Sequence, residues 1–108
     1  MTIKGKTIGF LGAGNMGEAM IKGLLKAGLV TPHAIFATDV RPERLREVEK
    51  LYGIQVLEDN AELVRRSDVV ILAVKPQVIA EVLKEVGPVL TPKNLVISIA
   101  AGVPTAAL

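Results

Sequence analysis

Five short apolar segments alternate with amphipathic ones along this 108-residue chain, and few folds accept that order. The segments are Lys6–Leu11, Ala34–Thr38, Ile54–Leu57, Asp68–Val74 and Leu95–Ile99. Each is too short for a buried helix but long enough for a strand, and between them apolar residues recur at helical spacing. Strand–helix alternation of this kind predicts an α/β fold, a doubly wound parallel sheet with right-handed crossovers, built as one domain over residues 1–108. Half of the residues are apolar and the mean hydropathy is +0.44, high for so small a domain. That excess suits a sheet covered on both faces, with some apolar surface left for a partner.

The first junction carries the strongest signal. Thr7-Ile8-Gly9-Phe10-Leu11 runs straight into Gly12-Ala13-Gly14-Asn15-Met16-Gly17, and a helix pattern follows at once. A G-x-G-x-x-G loop between a buried strand and a helix suits the pyrophosphate of a dinucleotide, as in a Rossmann-type sheet of strand order 3-2-1-4-5. Gly12 makes the tight turn. Gly14 has no Cβ, so the backbone can approach the phosphates. Gly17 lets the helix pack against the strand. The free N–H groups at the helix start face the anion.

The remaining elements follow from their punctuation. From Asn15 to Ala27 the residues Met16, Ala19, Met20, Gly23, Leu24 and Ala27 form a stripe, closed by Gly28. Pro42 suits a first helical position, and Leu45, Val48, Leu51 and Tyr52 make an apolar stripe stopped by Gly53. Asp59 is an N-cap with Glu62 at the capping-box position, opening a helix that runs to about Arg66. Strand four is nearly all Val, Ile, Leu and Ala, as a central parallel strand requires. After Lys75-Pro76 a helix carries Val78, Ile79, Val82, Leu83 and Val86, and Gly87-Pro88 interrupts or ends it.

Ligands bind outside the carboxyl ends of such strands, at the switch between strands one and four. That edge gathers the Gly loop, Asp39, Ala73-Val74-Lys75-Pro76 and Ile99-Ala100-Ala101. Asp39 lies 22 residues past Gly17 at the end of strand two, where a carboxylate accepts both adenine-ribose hydroxyls. It disfavours a 2′-phosphate: at about 4 Å and an effective dielectric near 20, one charge pair is worth about 4 kcal/mol before solvent reduces it. Arg41 pulls the other way, because a guanidinium pairs with a 2′-phosphate. The two together predict that NADH is accepted well and that NADPH remains possible.

Other function classes are disfavoured. There are two Phe, one Tyr and no Trp, few for a module that stacks bases. The formal net charge is +2, but Arg41, Arg44 and Arg46 alternate with Glu43, Glu47 and Glu49 before Lys50. That reads as a solvated helix face laced with ion pairs, with no nucleic-acid patch. No cysteine is present, so a thiolate metal site is excluded, and no apolar run is long enough to span a membrane. No signal-peptide pattern precedes the first strand, and the expected location is cytoplasmic.

Ile8–Met20, Leu72-Ala73-Val74-Lys75-Pro76 and Val96-Ile97-Ser98-Ile99-Ala100-Ala101-Gly102-Val103 together resemble the N-terminal half of pyrroline-5-carboxylate reductases. The resemblance covers essentially the whole chain. It implies NAD(P)H-dependent reduction of 1-pyrroline-5-carboxylate to proline, the last step of proline biosynthesis. It implies that Leu11 to Met16 hold the pyrophosphate and that Asp39 and Arg41 read the adenine ribose. It sets Asn60 beside the cofactor, and Ala73 to Pro76 with Ile99 to Ala101 beside the nicotinamide half. It also implies a parent more than twice this length. The second half of that parent is a helical domain that forms homo-oligomers and supplies much of the substrate pocket, so these 108 residues alone are expected to be inactive.

No residue here is a clear proton donor. His33, the single histidine, precedes strand two, away from the carboxyl edge. Lys75 is the charged residue at the end of strand four and suits a positional or electrostatic role. Two other readings suit the Gly loop: a 3-hydroxyisobutyrate or 6-phosphogluconate type of dehydrogenase, and a nucleotide-binding module without catalysis.

Overall fold

The computed structural model describes residues 5–99. Five parallel strands form one sheet: β1 (Ile8–Leu11), β2 (Ile35–Thr38), β3 (Gln55–Val56), β4 (Val69–Leu72) and β5 (Leu95–Ser98). Their order is β3-β2-β1-β4-β5, as the alternation predicts. β1 pairs with β2 on one side and β4 on the other, so the switch point of the sheet lies between β1 and β4, beside the Gly loop. Four helices complete the fold: α1 (Asn15–Lys26), α2 (Pro42–Tyr52), α3 (Asn60–Arg66) and α4 (Pro76–Val86). A 3₁₀ turn at Pro32–Ala34 leads into β2, and another at Gly87–Val89 ends α4.

The two central strands are buried on both faces, and their side chains alternate between two cores. Ile8, Phe10, Val69 and Ile71 point to the core that receives Ile21 from α1 and Leu45 and Val48 from α2. Leu11, Val70 and Leu72 point to the other, with Leu63 and Val64 from α3 and Val86 from α4. Gly53 closes α2 in the left-handed region, at φ +70°. The Asp59 carboxylate caps α3 by accepting from the Ala61 N–H at 2.9 Å.

Four expectations are adjusted. The buried face of α1 is Gly17 and Ile21, and Met16 is half-exposed. Gly17 has to pack against the Gly12 carbonyl and Ala73, and this contact sets the rotation of the helix. Leu51 leaves the α2 stripe and is 61% exposed. Glu62 forms ion pairs with Arg66 and Arg65 rather than completing a capping box. β5 is not covered on both faces: Leu95, Val96 and Ile97 are 37–42% exposed on this edge strand.

Candidate cofactor site

The carboxyl ends of β1, β2 and β4 open into a cleft of about 1060 Å³, just above the roughly 300–1,000 Å³ range of small-molecule sites. Its floor is Leu11, Gly12, Gly14 and Asn15, with Ala73, Val74 and Lys75 from the β4 end. Thr38, Asp39, Val40 and Arg41 form the β2 side, and Asn60 stands at the start of α3. Ala13 and Gly17 lie buried beneath the loop, Met16 is exposed beside it, and Pro76 begins α4. Ile99 packs partly buried against the core under α1 and α2. Ala100 and Ala101 lie outside the described residues.

The loop takes its shape from two glycines. Gly12 sits at φ +104°, and a Cβ there would meet the Ala73 carbonyl oxygen at 2.7 Å, so only glycine fits without a shift. Gly14 is different. Its backbone is extended, and a Cβ would find only the Arg41 guanidinium, at 3.9 Å. The space in front of Gly14 is open cleft. No side chain caps α1, and the N–H groups of Gly14, Asn15 and Met16 find no protein acceptor among the described residues. Unpaired N–H groups at a helix start, facing an open cradle, fit a phosphate.

Asp39 is tied in from several sides. One oxygen accepts from the Ala13 N–H at 2.8 Å, and the other from the Arg41 backbone N–H and Nε, each at 2.9 Å. Burial pushes its carboxyl up, but the bonds from Arg41 and Ala13 outweigh this and hold it below the usual carboxylate range. Arg41 covers this carboxylate and remains half-exposed to the cleft. Deeper in the wall, Thr38 donates to Asn60 at 2.5 Å, and Asn60 donates to Glu85 of α4 at 2.9 Å. Asn60 thus links β2, α3 and α4 at the rim.

Several wall residues were not singled out from the sequence as part of the site. Val78 and Val82 of α4 give an apolar side, and Glu58, Glu81 and Glu85 an acidic rim. Arg44 is the largest surprise: it lies in the wall and is only 14% exposed, although the charge pattern placed it on a solvated face. His33 stands at the far end of β2 near Gln55, away from the cleft, as expected. Lys75 is exposed at the end of β4. Among the described residues no His, Cys, Asp or Glu group is arranged to hold a metal ion, and no helix is long and apolar enough to cross a membrane.

Residues 7–102 match the family described as NADP oxidoreductase, coenzyme F420-dependent. The chain belongs to this family. Within it, the chain is 50% identical over 102 residues to a pyrroline-5-carboxylate reductase of Methanosarcina acetivorans, covering 94% of this chain and 38% of that protein. The fold agrees with a pyrroline-5-carboxylate reductase from Coxiella burnetii at a TM-score of 0.85, with 36% identity over 94% of this chain and 37% of that one. It agrees with a Plasmodium falciparum pyrroline carboxylate reductase solved with NADP bound at a TM-score of 0.80, with 28% identity over 95% of this chain and 36% of that one. The chain therefore spans less than two fifths of the length of these relatives, and it corresponds to their N-terminal part.

Proposed function

We propose that this chain is the cofactor-holding part of a pyrroline-5-carboxylate reductase, which reduces 1-pyrroline-5-carboxylate to proline with NADPH or NADH. The observation that carries the reading is the open cradle before Gly14, at the head of an uncapped helix. The likeness to pyrroline-5-carboxylate reductases over 94% of the chain supports the choice of reaction.

The nicotinamide ring, when bound, supplies the hydride. The chain's own residues bind and orient it. The Gly14, Asn15 and Met16 N–H groups take the pyrophosphate, the apolar Val78 and Val82 side lies open to the adenine, and Ala73 to Pro76 line the way to the nicotinamide half. Lys75 adds a positive charge at that end of the cleft. The substrate pocket, the homo-oligomer contacts and the proton donor belong, on this reading, to the rest of a longer parent. A cytoplasmic setting suits a chain without cysteine.

Titration of the chain with each cofactor, followed by nicotinamide fluorescence, tests the binding. Saturable enhancement is the expected result, and its absence with both cofactors removes the reading. Residues 1–108 alone are expected not to reduce 1-pyrroline-5-carboxylate. Turnover by them at an ordinary enzyme rate, about 1 s⁻¹ or more, counts against assigning the substrate pocket elsewhere.

Cofactor preference turns on the Asp39–Arg41 pair. Asp39→Ser removes the charge that repels a 2′-phosphate and frees the Arg41 guanidinium to meet one. The ratio of NADPH to NADH affinity is expected to rise about tenfold, or about 1.4 kcal/mol, and Arg41→Met is expected to lower it. An unchanged ratio in both variants would remove the ribose-reading role from this pair.

A further inference from the structure

Ala13, the residue before Gly14, is gripped at both of its backbone groups. On one side the Ala13 N–H is held by Asp39. On the other, the Ala13 carbonyl oxygen accepts from Arg44 Nε at 2.6 Å. A trans peptide places its C=O and N–H in opposite directions. Holding the Ala13 carbonyl on Arg44 turns the Gly14 N–H to the opposite side of that peptide, where no acceptor among the described residues meets it. The neighbouring peptide obeys the same rule. With the Ala13 N–H on Asp39, the Gly12 carbonyl faces the other way, where a Cβ on Gly17 would meet it at 3.1 Å.

Arg44 is itself held. Its remaining nitrogens pair with Glu18 of α1 and Glu47 of α2, and Glu18 also accepts from the Tyr52 hydroxyl at 2.5 Å. Each of the three guanidinium nitrogens therefore meets one partner. The guanidinium bridges α1, α2 and the loop, and its single positive charge faces two carboxylates. Glu18 stands in the first turn of α1, where a carboxylate competes with a bound anion for the positive helix end. The Tyr52 hydroxyl first, and then Arg44, hold its carboxyl below the usual carboxylate range.

We infer that Arg44 is a positioning residue. It presets the Gly14 N–H for the pyrophosphate by clamping the Ala13 carbonyl, and it holds the Glu18 charge in an ion pair beside the anion. This rests on the dinucleotide reading of the cleft. It acts on the pyrophosphate common to both cofactors, so it is independent of the choice between them.

The test compares the unaltered chain with Arg44→Met and Arg44→Lys, using adenosine diphosphate as the probe. Calorimetry gives affinity, thermal melting gives stability, and the Gly14 amide resonance reports the N–H. Binding to the unaltered chain is expected to move that resonance downfield. Arg44→Met is expected to weaken binding about tenfold and shrink the shift, with the NADPH to NADH ratio unchanged. Lysine keeps the charge but cannot reach the carbonyl and both carboxylates together, so Arg44→Lys is expected to recover less than half of the loss. Wild-type affinity in Arg44→Lys would mean a simple charge contact and overturn the clamp. Unchanged affinity in Arg44→Met, whatever its melting point, overturns it as well. Failure of the unaltered chain to bind overturns the dinucleotide reading, and the clamp with it.

Discussion

Gly14→Ala is expected to leave the chain folded and to weaken dinucleotide binding about a hundredfold, equivalent to about 2.7 kcal/mol. The two effects separate because this glycine is not needed by the fold. Its φ of −75° and ψ of −168° suit any residue, so alanine brings no backbone strain. The added methyl has room, with its nearest neighbour a guanidinium nitrogen at 3.9 Å. Alanine is a poorer N-cap than glycine, and that costs less than about 1 kcal/mol. The methyl does, however, fill the place a phosphate has to enter to reach the Gly14 N–H. Gly12→Ala is the control that fails differently. At φ +104°, with the Ala73 carbonyl 2.7 Å from the new Cβ, it strains the turn and is expected to lower the melting point. Affinity for NADPH by calorimetry, set beside the melting midpoint, reads both effects. If Gly14→Ala binds within threefold of the unaltered chain, the phosphate does not sit at this loop.

Much of this was legible from local rules. β1 and β4 were readable because they are apolar on both faces, which fits only central parallel strands. Gly53 and Asp59 were readable because the ends of helices have few chemical solutions. The place of Asp39 in the cleft wall was legible from its distance along the chain from the Gly loop, a spacing that the βαβ unit imposes. The links between distant residues were not legible. Arg44 and Glu18 stand 26 positions apart, and Tyr52 and Glu18 stand 34 apart. No periodicity connects them. Within its own helix Arg44 looks like any member of an alternating charge run. Only after Leu45 and Val48 are buried does its side chain fall toward α1. One signal was present: Tyr52, the chain's one tyrosine, ends the apolar stripe of α2, and a hydroxyl so placed seeks a partner. The exposure of β5 was hidden for a related reason. Leu95-Val96-Ile97 has the composition of a central strand, and composition does not say which strand stands at the edge.

The second large effect concerns a glycine outside the loop. Gly9→Ala is expected to cost about 3 kcal/mol of stability, at the upper end of what overpacking a core exacts. Gly9 lies mid-strand in β1, paired with Phe36 of β2 and Val70 of β4, so the backbone has nowhere to retreat. The space its side chain would take belongs to α3. A Cβ would stand 2.2 Å from the Ser67 hydroxyl oxygen and 2.5 Å from a methyl of Leu63. Neither neighbour yields easily. Leu63 is fully buried, and the Ser67 hydroxyl donates to the Leu63 carbonyl at 2.6 Å. α3 therefore has to lift from the sheet. Alanine's smaller entropy loss in a strand returns about 0.5–1 kcal/mol. That is not enough to offset displacement of a helix whose Leu63 and Val64 anchor one of the two cores. For a domain of this size the loss corresponds to a fall of about 15 °C in melting midpoint, at 4–8 °C per kcal/mol. Ser67→Ala removes the closest contact, so Gly9→Ala with Ser67→Ala is expected to melt above Gly9→Ala alone. That favourable coupling is what two residues in direct contact should give. A midpoint for Gly9→Ala within 3 °C of the unaltered chain, or a double variant less stable than the sum of the two single changes, would show that α3 does not pack on β1 through this glycine.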